Sequence, residues 1–310
     1  MIRTIKRLII TILLPALLVA CENKDLCYGH AHGKRVDIVI NWEKEAQKPH
    51  NGLMRTAMFS LTDDPDYGVF DIKAEGDSID PRPGSSFRSV CYDYYNSENI
   101  YFRNEKDVIN TEAYCASLVR ASYTRANPNE STVAEPGPFY VDRIDQVDIL
   151  FSDTIQRIDF YPKNVLQTYT FRIKGITGAQ YITATRAALS GMSASYFLTT
   201  GKLGTTPSTV LFNARVDAAN GWIVGEFRAF GRLETTNSFS IEILYPTATG
   251  GIFAQSWNVT DQMENIGLNN QEYDIEIDAD IVIIPEESGG GGAFEAKVKE
   301  WKEEQIPIIM

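Results

Sequence analysis

Apolar and polar residues alternate along most of this chain in short runs that are typical of β-strands. Residues 35–42 read RVDIVINW and residues 165–173 read VLQTYTFRI, with apolar side chains recurring at alternate positions. Such alternation places one face of a strand on a core and the other in solvent. Similar runs occupy residues 54–61, 69–73, 90–95, 100–103, 157–161, 209–216, 221–230, 238–245, 252–259 and 273–284.

Turn-forming residues separate these runs. Residues 76–86 are rich in Gly, Pro, Asp and Ser and predict a loop, and residues 187–192 (AALSGM) predict a short turn. Residues 111–123 show modest helical periodicity, which the following Asn-Pro-Asn sequence ends. Many short strands with little helix favour β-sandwiches over a parallel α/β sheet.

The chain length predicts two domains followed by a tail. The 310 residues correspond to about two domains of ordinary size. We predict an N-terminal β-sandwich at residues 35–160 and a C-terminal β-sandwich at residues 161–285, although strand rhythm alone does not fix the boundary. Residues 286–310 are predicted to form a glycine-rich linker and a tail strand.

The first residues have the order of an export signal. Arg3, Lys6 and Arg7 precede an apolar run at residues 8–18, and small residues then lead to Cys21. This run is shorter than a membrane-spanning helix needs. The tetrapeptide Leu-Val-Ala-Cys resembles a lipobox, whose cysteine receives lipid after cleavage before it. We predict a signal peptide at 1–20 and a lipidated tether at 21–34; an ordinary signal peptide is the alternative.

Composition narrows the range of partners. The apolar fraction of 44% is ordinary for a globular protein. The formal net charge is −12, and removal of the signal peptide would make the chain still more acidic. An acidic surface disfavours nucleic acid and anionic lipid as partners. Because the charges are dispersed, their simplest interpretation is solubility.

The cysteines permit one disulfide outside the cytosol. If Cys21 carries lipid, then Cys27, Cys91 and Cys115 remain, and they allow three pairings. We favour Cys91 with Cys115, because both other pairings reach back to the N-terminal segment.

No motif in the sequence predicts catalysis, a cofactor or a metal site. The chain contains no G-x-S-x-G, no Walker-type loop and no H-E-x-x-H. His30 and His32 lack further ligands for a metal. The acidic turn at residues 63–66 lacks the ligand spacing of a calcium loop. We therefore expect a protein that is not an enzyme.

An aromatic cluster has two interpretations. Its members are Tyr92, Tyr94, Tyr95, Tyr101 and Phe102. Aromatic residues are common in strands and cores, which is the interpretation we favour. The alternative is a platform on which sugar rings stack.

Several segments together resemble a known family. They are the lipobox, residues 27–32 (CYGHAH), residues 36–42 (VDIVINW), residues 94–104 (YYNSENIYFRN) and the glycine-rich linker with its Trp-containing tail. The chain resembles the fimbrillin-like lipoproteins of Bacteroidota, which are related to anchor and minor subunits of type V pili. The resemblance implies two tandem transthyretin-like (Greek-key) β-sandwiches.

The resemblance also implies a function. Such subunits join by strand addition, and the tail is a candidate donor strand through Phe294, Ala296, Val298, Trp301, Ile306 and Ile308. The implied protein is a lipid-anchored subunit of a fimbria-like assembly at the outer membrane, facing the cell surface, with other pilus subunits as partners. Shaft subunits mature by cleavage after a basic residue, for which Arg35 and Arg55 are candidates. The alternative function is a surface lipoprotein that binds a glycan or host ligand.

Overall fold

The computed structural model describes residues 35–43, 52–62, 67–118, 127–152, 154–247, 251–265 and 272–285. These residues form β-strands, one short 3₁₀ turn at Ala179–Tyr181 and one helix, α1, at Thr260–Asn265. The strands are β1 Val36–Ile40, β2 Leu53–Ser60, β3 Tyr67–Lys73, β4 Gly76–Ile79, β5 Ser86–Tyr92, β6 Tyr101–Arg103, β7 Glu112–Tyr114, β8 Ser131–Ala134, β9 Tyr140–Asp148, β10 Gln156–Phe160, β11 Lys163–Asn164, β12 Gln167–Thr177, β13 Ala184–Ser193, β14 Ser195–Phe197, β15 Pro207–Asn213, β16 Arg215–Asp217, β17 Trp222–Ala229, β18 Gly231–Arg232, β19 Ser238–Tyr245, β20 Gly251–Asn258 and β21 Glu272–Val282.

The first sandwich packs a three-stranded sheet on a five-stranded one. The strand orders are β10-β1-β4 and β11-β9-β5-β2-β3. Alternation puts Ile38 of β1 and Phe160 of β10 on the inner face of the small sheet, opposite Met54 and Met58 of β2. All four side chains are almost completely buried, so the period-two pattern of the sequence is the cause of this core.

The second sandwich contains most of the aromatic core. Its sheets have the orders β16-β17-β12-β21 and β20-β19-β13-β15-β8, and β18 pairs with β13. Tyr169 and Phe171 of β12 and Phe227 of β17 face Phe212 of β15 and Phe239 of β19. The rings of Phe212 and Phe227 stack with their centroids 3.8 Å apart, so the two sheets interlock at their centre.

A segment between β5 and β9 connects the two sandwiches. Its strand β7 pairs with β14, and its strand β8 pairs in parallel with β15, which is an inner strand of the second sandwich. The predicted domains 35–160 and 161–285 stay a prediction, but strand pairing crosses the division between them. Phe139, at the end of this segment, is fully buried between Phe102 and Phe230, so the segment is part of a shared core.

Three elements predicted from the sequence differ in the structure. Residues 187–192 lie inside β13, a central strand buried on both faces, which therefore does not alternate. Residues 76–79 form β4 rather than a loop, because they pair with β1. Residues 112–114, predicted to be helical, form β7. Helix α1 was not predicted.

The prediction of an all-β fold with tandem sandwiches is confirmed. In the part of the chain that the structure describes, no helix has the length and apolar character needed to cross a membrane.

Candidate functional site

The edge strand β20 has features of a site for strand addition. It pairs with β19 over its whole length, and none of the described strands pairs with its other edge. Its sequence GIFAQSWN contains no charged residue and no proline. Ile252 is 59% exposed, whereas Phe253 and Trp257 pack against the core. A long uncharged edge presents unpaired N–H and C=O groups to any incoming strand.

The other long edge of this sandwich, β21, is protected. The side-chain amide of Gln262 in α1 donates to the Glu276 carbonyl oxygen at 2.8 Å and accepts from the Glu276 N–H at 2.9 Å. These bonds imitate a neighbouring strand. Asp278 and Asp280 add exposed negative charges along the same strand. Charge and covering both discourage strand pairing, so β20 is the more open edge.

The edges of the first sandwich are charged as well. In β10, Arg157 donates to Asp159 at 2.9 and 2.6 Å. In β3, Asp71 accepts two hydrogen bonds from Arg55 of the neighbouring strand, at 2.8 and 3.2 Å. The Arg55 guanidinium lowers the pKa of Asp71 below its ordinary value, so this carboxylate stays charged at neutral pH. The sequence alone did not show that these charged strands and β20 all lie at sheet edges, of which β20 is the uncharged one.

The aromatic cluster mainly builds the core. Tyr92 is fully buried, and Tyr94 stacks on Phe102 with ring centroids 4.8 Å apart. The Arg55 guanidinium lies 3.4 Å from the Tyr94 ring centroid, where a cation–π interaction is favourable. Only Tyr95 and Tyr101 expose about two fifths of their surface, 43% and 40%. These contacts match the favoured core interpretation for most of the cluster.

The two residues considered for proteolytic maturation have different surroundings. Arg55 lies in the middle of β2, between β3 and β5, and its side chain also donates to Glu105 at 3.1 Å. Arg35 is exposed and immediately precedes β1. A protease would reach Arg35 without unfolding a sheet, whereas it would have to open β2 to reach Arg55.

A polar cleft of about 450 Å³ lies beside the small sheet β14-β7-β6. It is lined by Arg103, Asn104, Asp107, Asn110, Glu112 and Phe197. Burial by itself would raise the pKa of Glu112, but the hydrogen bonds from Arg103, at 2.6 Å, and from Ser195, together with the charge of Arg103, lower it.

An aromatic surface adjoins this cleft. Tyr101 lies opposite Tyr114 across β6 and β7, with ring centroids 6.0 Å apart. The Arg103 guanidinium lies 4.8 Å from the Tyr114 ring. The cleft is therefore lined by hydrogen-bonding groups of both charges, and the aromatic pair lies beside Arg103 in its wall. The sequence did not indicate it, because strand pairing brings these residues together.

The predicted disulfide between Cys91 and Cys115 is wrong. Both cysteines are free thiols. Cys91 lies in the core of the first sandwich, whereas Cys115 lies in the aromatic core shared with the second. Burial raises the pKa of each thiol to about 12, so neither is a thiolate at neutral pH.

We expect both thiols to be unreactive in the folded protein. The thiolate is the nucleophilic form of cysteine. Burial keeps both thiols protonated and also keeps reagents away from them. In a Cys27→Ser variant, iodoacetamide should leave residues 91 and 115 unmodified until denaturant is added, as read by mass spectrometry. Modification without denaturant, or a mass that shows a bond between the two residues, would contradict this prediction.

Other predicted site residues lie outside the described residues. They are Cys21 with its lipobox, Cys27, the three histidines, the acidic turn at 63–66 and the tail residues Phe294, Ala296, Val298, Trp301, Ile306 and Ile308. Among the residues that are described, no three His, Cys, Asp or Glu side chains are grouped to hold a metal.

Comparisons with known proteins agree with this architecture. A Bacteroides ovatus protein named "Putative fimbrium anchoring subunit Fim4B" is 23% identical over 218 residues, which cover 70% of this chain and 62% of that protein. The chain thus spans less than two thirds of that relative's length. A crystal structure of a "putative adhesin" from the same species superposes with a TM-score of 0.65 at 19% identity, covering 86% of this chain and 98% of the other.

These findings confirm the resemblance to fimbrial subunits that the sequence indicated. A family model described as a domain of unknown function, DUF5119, matches residues 20–213. This match extends from the lipobox through both sheets of the first sandwich into β15 of the second. The chain therefore belongs to the DUF5119 family.

Proposed function

We propose that this protein is a lipid-anchored structural subunit of a fimbria-like assembly at the outer membrane, an anchor or minor subunit that joins its partners by strand addition. The observation that carries the proposal is the open, uncharged edge of β20. The similarity to a protein named as a fimbrium anchoring subunit supports it. The sequence, which contains no catalytic motif, agrees with a structural role.

Strand addition at β20 has a clear physical basis. An incoming strand would satisfy the free N–H and C=O groups of the edge, which supplies affinity. Phe253 and Trp257 alternate with exposed Ile252 and Ala254, so the incoming strand would meet a different surface on each face. Such a pattern sets the register, because a slip of one residue exchanges the two faces.

The two ends of the chain would have complementary roles. Lipid on Cys21 would hold the protein to the outer membrane, on the cell surface. The tail strand, with Phe294, Ala296 and Val298 at alternate positions, would be donated to a partner. The protein would therefore accept one strand and provide another.

An Ala254→Lys substitution tests strand addition at β20. Ala254 is exposed, so lysine should leave the fold intact while its charge opposes an incoming strand. We expect cells with this variant to retain several-fold fewer fimbriae, counted by electron microscopy, at an unchanged amount of protein.

Thr170→Lys is the matched control. Thr170 lies in β12, an inner strand with neighbours on both sides, so the same new charge should have no effect on fimbriae. Equal fimbriation in both variants would refute a role for β20. Deletion of residues 289–310 separately tests the donor strand, since loss of partners from the purified protein is expected.

A second candidate function is glycan binding at the cleft beside β6 and β7. Its volume of about 450 Å³ lies within the range of about 300–1,000 Å³ that is usual for ligand pockets. Tyr101 supplies an exposed aromatic face, and Asn104 and Asn110 supply amides that can pair with hydroxyl groups. With one arginine and two acidic residues, the lining disfavours anionic ligands.

Glycan binding predicts a specific effect of Tyr101→Ala. Loss of one stacking ring should weaken binding of a neutral oligosaccharide about tenfold, measured on a glycan array and then by calorimetry. Tyr181→Ala is the control, because Tyr181 is 42% exposed and is not one of the residues that line the cleft. An intact protein that binds no glycan on the array would exclude this second function.

A further inference from the structure

Three large apolar side chains project from one loop of the first sandwich. Leu150, Phe151 and Ile155 lie between β9 and β10 and are 59%, 66% and 59% exposed. We call these three residues the apolar tip. Large apolar side chains that are exposed together on one loop are costly in water and mark a contact with another apolar phase.

The backbone of this loop is held firmly on both sides. The Gln156 side chain accepts a hydrogen bond from the Leu150 N–H at 3.1 Å and donates to the Asp148 carbonyl oxygen at 2.7 Å. Ile149 is buried, and its N–H donates to Ser85 at 2.9 Å. The apolar tip is therefore presented by a built loop.

The apolar tip is supported from below by a glycine. A Cβ atom on Gly84 would lie 2.2 Å from the ring of Phe151. Only a residue without a side chain allows the ring to lie where it does. The ring thus rests on the backbone with one side and faces solvent with the other.

The apolar tip lies at the end of the sandwich where the chain enters from its N-terminal segment. Val36, the first residue of β1, is the register partner of Gln156 and of Ile79. Leu61, which is 42% exposed, lies at the same end, since its N–H donates to Ser86 at the start of β5. The segment that begins at Cys21 therefore joins the fold beside the apolar tip.

We propose that the apolar tip enters the lipid surface to which Cys21 is attached and sets the orientation of the first sandwich on the membrane. This inference rests on the proposed lipid anchor. The 13 residues between Cys21 and Arg35 let these two residues lie up to about 50 Å apart, so the lipid alone leaves the orientation free. A second, apolar contact fixes it, as paired membrane signals do.

The charges at this end fit a membrane of zwitterionic lipids. Arg35 and Arg82 are exposed there, and so are Asp80 and Asp148. Asp153 within the loop, and Asp63, Asp64 and Asp66 shortly after Leu61, add negative charges in the sequence, so attraction to anionic headgroups is not expected. Burial of apolar side chains is then the main source of binding energy.

Fluorescent labelling of the lipidated full-length protein tests the inference. Cysteines are introduced by Phe151→Cys or Ile155→Cys in a Cys27→Ser background and labelled with the environment-sensitive dye NBD. Ile109→Cys is the matched control, since Ile109 is 64% exposed and lies in the segment between β6 and β7. In phosphatidylcholine vesicles, we expect a blue shift and several-fold weaker quenching by iodide at 151 and 155, but not at 109.

The outcomes separate the two proposals. Equal quenching at 151 and 109 in vesicles, with lipid on Cys21 shown by mass spectrometry, overturns the apolar-tip inference alone. Shielding of 151 without vesicles also overturns it, because a protein segment or a second copy then covers the tip. If Cys21 carries no lipid, the proposed anchor fails; shielding of 151 by added vesicles then supports only a contact of the tip with lipid, and equal quenching at 151 and 109 overturns that contact as well.

Discussion

Cys21→Ser is expected to move the protein almost completely from the membrane fraction to the soluble fraction. Serine has no thiol to receive the lipid, so the variant would lose every acyl chain. Each buried CH₂ group contributes about 0.8 kcal/mol to membrane binding, and stable anchoring needs more than one chain. The apolar tip by itself would bury far less apolar surface in the membrane than the acyl chains do. The membrane-binding constant should therefore fall by several orders of magnitude.

The matched control for this prediction is Cys27→Ser. It is the same chemical change at the next cysteine of the chain, and it should leave the protein in the membrane fraction. Cell fractionation and incorporation of labelled palmitate give two independent measurements. A Cys21→Ser protein that stays with the membrane and carries palmitate would contradict the lipid anchor.

Phe227→Ala is expected to lower the free energy of unfolding by about 3–5 kcal/mol, which is usual for a buried phenylalanine. Phe227 is fully buried in β17. Its ring centroid lies 3.8 Å from that of Phe212 in the facing sheet and 5.1 Å from that of Tyr169 in the neighbouring strand. Alanine would leave a cavity where the two sheets meet, and urea unfolding monitored by circular dichroism would measure the loss.

Phe151→Ala provides the control with the same chemistry. Phe151 is 66% exposed, so its removal in the absence of membranes should change stability by at most about 0.5 kcal/mol. Similar losses in both variants would show that the assignment of core and surface is incorrect. An unchanged stability of Phe151→Ala would also show that position 151 tolerates the substitution that the membrane experiment requires.

The alternation of apolar and polar residues predicted the strands well where one face is buried and the other is exposed to solvent. β1 and β12 follow the alternation of their sequences closely. The strands that the sequence did not predict lack this one-sided burial. β13 carries AALSGM in a central position with both faces covered, so the sequence has no alternation to detect. β4 begins at Gly76, whose φ of +114° is turn-like, and only its pairing with β1 makes it a strand.

The functional surfaces were even harder to predict from the sequence than the strands, because they depend on contacts between residues far apart in the chain. The acidic strand β21 and the uncharged strand β20 both alternate, and the sequence did not show that Gln262 covers one of them. The pairing chosen for the cysteines failed for the same reason. Their separation along the chain permits a bond, but their strands direct them into different cores.

The sequence by itself determined that this is an all-β protein of two sandwiches, because alternation is a local property of each strand. It also carried the lipobox at Cys21 and the alternating tail, which remain predictions. The tertiary structure decided which edge stays open, that β8 crosses into the second sandwich, and that the apolar tip lies beside the entry of the N-terminal segment. Those features arise from pairings between residues far apart in the chain, and no local pattern encodes them.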